Sequence, residues 1–182
     1  AALLNRPRLS WAVAVAATLW ALYAALELLS QTMATGSVHY ELGGWAAPYG
    51  IEYVVDPVNA WVVVIVTLIG ALVAPYARVS VEREITEDRI PLFYAAFILC
   101  LTGLLGIAVT GDVFNVFVFL EISSLSAYAL IALGSDRRAL TASFQYLIMG
   151  SVGATFIVIG IGLMYVMTGT LNMADLADRL PE

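Results

Sequence analysis

The sequence contains no lysine, one histidine and one cysteine among its 182 residues. Each shortage closes a class of function. Nucleic-acid binding needs clustered cations to displace the counterions of phosphate, and here eight arginines stand against fourteen acidic residues, a net charge of −6. The lone cysteine, Cys100, lies inside an apolar run and supports neither a disulfide framework nor a zinc cluster. His39 stands alone in a polar connection, so a haem, a copper ion or a nucleophile–His–Asp set has no ligands or base to draw on. Walker A and dinucleotide-binding glycine patterns are missing as well. No cofactor and no metal site is expected in this chain, and any redox cofactor must sit in other subunits.

Charge of both signs is scarce at 12%, about half of what soluble domains carry. What fills the space is hydrophobic: 62% of residues, with mean hydropathy +0.91. A soluble fold of this length could not hide so much apolar surface. The expectation is an all-α integral membrane protein, a single transmembrane domain over 1–182.

A membrane helix needs about 20 mostly apolar residues, and five stretches qualify: Leu9–Leu29, Pro57–Ala77, Ile90–Thr110, Val113–Leu133 and Leu140–Met167. Irregular backbone cannot face lipid, so each is expected to be a helix. The last is long enough to tilt or protrude. Only Gly111-Asp112 separates the third from the fourth, which demands a tight antiparallel hairpin. Pro75, near the end of the second span, is tolerable as a kink or terminus.

Arginine placement sets the expected orientation. Arg6 and Arg8 precede the first span, Arg78, Arg83 and Arg89 lie between the second and third, and Arg137 and Arg138 lie between the fourth and fifth. Those segments share one side; only Arg179 falls on the other. The positive-inside rule then puts the N-terminus in the cytoplasm and the C-terminus outside. The start, AALLNRPR, lacks Met and is similar to the start of a signal peptide. Leu9–Leu29 is longer than a signal h-region, and no small-residue cleavage site follows. It is read as a retained span, and the chain as beginning part-way into something larger.

Glu121 is the sharpest feature. It lies about nine residues into the fourth span, about 13 Å from the helix end and close to the bilayer midplane. A charge there costs at least ~2.5–3.5 kcal/mol on insertion scales, so such residues face protein or water and commonly serve transport. Helical spacing puts Phe114, Phe117, Ser124, Leu125 and Tyr128 on its face, with two hydroxyls near the carboxyl. A carboxyl held between desolvation and nearby polar groups can load and release a proton. The competing reading is a permanently neutral Glu bonded to a neighbouring helix.

Other candidates carry weaker signals. Gln145, beside Thr141, Ser143 and Tyr146, makes a polar patch expected to face the bundle, where helix–helix bonding is the plainer reading. Asp112 in the hairpin turn is explained by capping, with an ion-path role second. Glu27 is expected near an interface, and Glu82, Glu84, Glu87 and Asp88 in a solvated cytoplasmic loop. Gly103 and Gly106 in the third span, and Gly150, Gly153, Ala154, Gly160 and Gly162 in the fifth, would permit close helix approach.

The fourth span also carries a resemblance. TGDVFNVFVFLE (Thr110–Glu121), followed by Tyr128 and ALIALG, resembles the TGD-[LM]-FN-L-F-x-F-x-E segment of the antiporter-like subunits shared by complex I, membrane-bound hydrogenases and multisubunit Na+/H+ antiporters of the Mrp type. GGWAAPYGIEYVVDPVNA (Gly43–Ala60) and YVMTGTLNMADLA (Tyr165–Ala177) are most similar to the D subunit of the Mrp antiporter, with the N subunit of complex I a near relative. The resemblance implies that Glu121 is the family's proton-path glutamate, normally paired with a lysine in a later helix. It departs at Gln145-Tyr146, where family members usually have Lys-Tyr, and in lacking the later helices.

What the resemblance implies is a proton- or cation-translocating subunit of the cell (inner) membrane, moving H+ with Na+ as the candidate counter-ion. Its partners would be other membrane subunits, including a chain carrying the missing helices. Ser124, Tyr128, Gln145 and Asp112 are the candidate polar path beside Glu121. The alternative is a non-transporting scaffold or assembly subunit; a standalone small-molecule transporter has less in its favour, because five such apolar spans assemble no polar pocket. Enzyme status would belong to the whole complex.

Overall fold

Proline, aspartate and asparagine open the helices of this chain. The computed structural model describes residues 6–180, so the AALLN part of the signal-like start lies outside the described residues. Pro7 and Pro57 occupy the first turns of α1 (Pro7–Thr35) and α2 (Pro57–Glu84), where their missing N–H costs nothing. Asp56 caps α2 by accepting from Asn59 N at 2.7 Å. Asp112 caps α4 (Val113–Ala132) and Asp136 caps α5 (Arg137–Thr168) in the same way. Between α2 and α4 lies α3 (Ile90–Val109), and a short α6 (Met173–Arg179) follows α5 under an Asn172 cap.

Five of these helices are long and apolar enough to cross a membrane. Each contains all or nearly all of one of the five expected spans, but three run further than the apolar stretch. α1 continues to Thr35, which leaves Glu27 eight residues inside the helix on an exposed face rather than at its end. α2 continues through Pro75 to Glu84, so Glu82 and Glu84 belong to a helical extension and not to a loop. There Arg78 pairs with Glu82 at 3.1 Å and lies over the Trp11 ring at 4.6 Å. The Trp11 indole donates to Ala74 O, beside the proline.

The helices pack in a chain of neighbours. α1, α2 and α3 contact one another, α4 lies along α3, and α5 packs chiefly on α4. One apolar cluster joins Ala14, Val81, Ile85, Ile90 and Tyr94; a second joins Ala25, Val63 and Val64. The α3–α4 seam is the tightest. A methyl group on Gly103 would meet Ser123 N at 2.6 Å, and one on Gly106 would strike the Phe119 ring. On α5 the glycine expectation holds at Gly150, whereas Gly153, Gly160 and Gly162 face open space. The reason is that α5 has a neighbour on one side only, and just Ser143, Ala154 and Ile161 are buried along it.

The connection from α1 to α2 is more ordered than its composition suggests. Val38–Glu41 (β1) and Glu52–Val55 (β2) form an antiparallel pair with His39 opposite Val54 and Glu41 opposite Glu52. Gly43 and Gly44, at φ 69° and 74°, turn the chain between them in a conformation that residues with a Cβ resist. This hairpin lies at the same end of the bundle as the α3–α4 turn and the α5–α6 turn; one isolated bridge, Tyr53–Thr110, ties it to the first, and another, Asp112–Asn172, ties the two turns to each other. The arginines of α2–α3 and α4–α5 lie at the opposite end.

Candidate functional site

Three serines on α4 separate the structural face of that helix from the open one. Ser123 and Ser126 are buried and donate to their own helix, to Leu120 O at 2.9 Å and Ile122 O at 2.7 Å. Ser124 makes no hydrogen bond among the described residues. It shares a face with Glu121, one turn away, and with Tyr128, one turn further. Glu121 itself is half-buried and, among the described residues, has neither a hydrogen bond nor an ion pair.

Glu121 lies on a boundary. On one flank, Phe114, Val118 and Leu125 are open, Leu125 being 52% exposed. On the other, Tyr128 is only 7% exposed, covered by α5. Ser143 Oγ donates to Tyr128 O at 2.8 Å, and the Tyr146 ring meets the Tyr128 ring edge-on at 4.7 Å. The polar patch expected around Gln145 therefore divides. Ser143 and Tyr146 turn to α4, whereas Thr141 and Gln145 are exposed and border a cleft of about 480 Å³ with Asp136, Arg137, Arg138 and Ala142. Spacing alone could not show which side of α5 its neighbour would take.

Asp112 belongs to a different place, the knot at the hairpin end. Its carboxylate accepts from Asn115 N at 2.7 Å, and the Asn115 amide donates to Thr110 Oγ1 at 3.1 Å. Asp112 is 8% exposed; burial pushes its carboxyl above the ordinary value, with the Asn115 and Phe114 amides pulling it back in part. Around it three distant segments meet. Gly111 N donates to Glu52 O at 2.9 Å, Met173 N to Gly111 O at 2.8 Å and Val113 N to Leu171 O at 2.9 Å. Asn172 Nδ2 donates to Glu52 Oε1 at 2.7 Å, while Asn172 Oδ1 accepts from Ala174 N and Asp175 N. The other Glu52 oxygen meets His39 Nδ1 at 3.2 Å.

This knot draws residues from all three sequence stretches that carry the family resemblance. Thr110, Gly111, Asp112 and Asn115 of the first, Glu52 and Asn59 of the second and Asn172 of the third are tied together or cap the helices that leave the knot. Glu52 and Asn172 were not among the candidate residues.

Comparison with known proteins agrees. Residues 110–180 match the family model described as NADH:quinone oxidoreductase/Mrp antiporter, TM. The N subunit of the NADH-quinone oxidoreductase of Desulforudis audaxviator is 45% identical over 92% of this chain and 33% of its own length. The D subunit of the Na(+)/H(+) antiporter of Bacillus subtilis is 38% identical over 85% of the chain and 31% of its own. Among solved structures, the membrane-bound sulfane sulfur reductase, an archaeal respiratory membrane complex, superposes with a TM-score of 0.88 at 33% identity, covering 98% of this chain and 37% of the matched one. The Mrp complex from a Dietzia species gives 0.83 at 27% identity, covering 94% and 32%.

The chain belongs to the complex I/Mrp antiporter superfamily. It is a multi-pass integral membrane protein of the inner (plasma) membrane, similar both to the D subunits of the antiporters and to the N subunit of complex I. This antiporter-like chain spans about a third of the length of the curated relatives it matches. The buried Glu52 of the hairpin is the residue that sequence reasoning missed most clearly. Its only local sign is a carboxylate in a run of β-branched and aromatic residues, IEYVV, followed by the Asp56-Pro57 helix start.

Proposed function

We propose that this chain is an ion-translocating membrane subunit in which Glu121 takes up and releases a proton. One observation carries the reading. A carboxyl half-way along a membrane-crossing helix has no partner among the described residues, and it stands at the edge of the α4–α5 seam rather than inside it. A buried structural Glu would be satisfied by a neighbouring helix. Glu121 is instead open to what lies beyond this bundle, where a cation from another helix can shift its proton affinity. One pKa unit corresponds to about 1.4 kcal/mol of such coupling.

In this reading the described helices make one transmembrane unit, equivalent to about a third of the full-length relatives. The arginine-rich end faces the cytoplasm and the hairpin end the outside, following the positive-inside rule. Further helices, in the same or a separate chain, supply the cationic partner, because every arginine described here lies toward a helix end or beyond it. The assembly is a multisubunit membrane complex of the Mrp or respiratory type, moving H+ with Na+ as the candidate counter-ion. Ser124 and Tyr128 extend the polar stripe; Asp112 acts as a cap at its outer end.

Gln145, where family members usually have lysine, favours the alternative of a scaffold subunit that keeps the helix packing without transport. Glu121→Gln separates the two. Proton-coupled cation exchange in everted vesicles falls to background under the transport reading with the complex still assembled, and is unchanged under the scaffold reading.

A further inference from the structure

We propose that the outer face of α1 is a docking surface for a further transmembrane helix, one that carries a basic side chain opposite Glu27. Glu121 plays no part in it. α1 buries Ala14, Thr18, Ala25 and Thr32 toward α2 and α3. On its opposite face Trp20, Tyr23, Glu27 and Gln31 follow one another at spacings of three or four residues, all of them exposed. The two rings touch each other, with centroids 5.8 Å apart. The indole N–H, the phenol, the carboxylate and the amide make no hydrogen bond or ion pair among the described residues. Four polar side chains in one stripe, turned away from the bundle, are what a second helix can bond in the membrane and what acyl chains cannot satisfy.

The depth of Glu27 decides between water and protein. Ala25 clusters with Val63 and Val64 of α2, and Leu29 and Val109 pack against them. Glu27 is therefore level with residues about 10 Å inside the start of α2 at Pro57. Lysine and arginine snorkel to water from such a depth on long stems, whereas glutamate has a shorter reach. Trp20 lies deeper still, near the middle of α1, away from the helix ends where tryptophan collects in membrane proteins. Ala16 and Ala24, exposed beside Trp20, leave room for a second backbone to approach. The sign of the partner follows from the carboxyl, since ionisable groups within a membrane pair with one another. A second copy of these five spans does not supply that partner. Arg179, the one described arginine at the hairpin end, is held by Asp175 and Thr168 O, and the others lie at the opposite end.

Photo-cross-linking in native membranes tests this. Benzoylphenylalanine introduced at Tyr23 keeps a ring in the stripe and, on illumination, joins covalently to whatever lies against it. The expected adduct is a transmembrane peptide with Lys, Arg or His at the level of Glu27, whether it belongs to this polypeptide or to another subunit. Glu27→Leu is expected to lower the yield of that adduct by about three- to thirtyfold, the worth of an interhelical polar contact, and Glu27→Gln by less. Glu27→Lys should lower it too, with recovery when the partner's basic residue is exchanged for glutamate. Adducts with lipid alone, with a helix lacking a basic residue, or with α1 of a second copy overturn the proposal. So does a yield that Glu27→Leu and Glu27→Lys both leave at the parental level. If Glu27→Leu fails to accumulate, Glu27→Gln and Glu27→Lys decide, and parental yield in both overturns the proposal.

Discussion

The amide of Asn172 donates to the carboxylate of Glu52 over 2.7 Å, joining positions 120 residues apart. The same asparagine caps α6 through its carbonyl oxygen. One side chain therefore holds the β-hairpin and the α5–α6 turn to each other, with Gly111 between them bonded to both segments. Helices that pack side by side in lipid gain little from the hydrophobic effect, so ties of this kind fix how α2, α4 and α5 are staggered. That stagger sets which residues of α5 stand opposite Glu121 and Tyr128.

Asn172→Ala removes a hydrogen bond to a buried carboxylate and a helix cap together. The expected loss is about 2–4 kcal/mol of stability, measured by unfolding in detergent or bicelles. Asn172→Asp keeps the cap but faces Glu52 with a like charge. It should be destabilised at neutral pH and recover on acidification, when one carboxyl can donate to the other. Equal loss at both pH values would show that the Glu52 contact contributes nothing.

Asp112 offers a second pH test. Burial holds its carboxyl above the ordinary value of 3.8. A group raised on folding contributes stability that is fully present below its unfolded value and lost as pH rises through the folded one. Asn caps helices about as well as Asp. Asp112→Asn should therefore match the parent in acid and exceed it at neutral pH, flattening the stability curve. Asp112→Ala should fall about 1 kcal/mol below Asp112→Asn at either pH, through loss of the cap. A parent that gains stability over Asp112→Asn as pH rises would contradict the assignment.

Gly103 lies against the backbone of α4 at Ser123 and Phe119, so no side-chain motion can make room there. Gly103→Ala is expected to cost about 1–3 kcal/mol through forced separation of α3 and α4. Gly160→Ala, with nothing within 4 Å, serves as the matched control in the same unfolding assay. If the two variants unfold alike, the close seam is not a determinant of stability.

The five helices were legible because each answers to a local quantity, the length of an apolar run. Their ends were not. α1 and α2 continue past the apolar stretch, where Arg78 and Glu82 support the helix as an ion pair one turn apart and hydropathy is silent. The hairpin was hidden for a different reason: its strands are four residues long, and Glu52 is buried by contacts from Gly111 and Asn172 that no local pattern announces. Glu121 stood out because a charge at mid-helix is costly wherever it is met. Ser124 and Tyr128 followed from helical spacing. Gln145 did not, since its orientation depends on where α4 crosses α5.

The central claim is that Glu121 changes protonation as the complex works. Infrared difference spectroscopy on the assembled complex in its membrane, recorded as an ion gradient is imposed, reads that change directly. A protonated-carboxyl band that rises and falls with the gradient and is missing in Glu121→Gln is the result expected. A spectrum identical in the parent and in Glu121→Gln would contradict the claim.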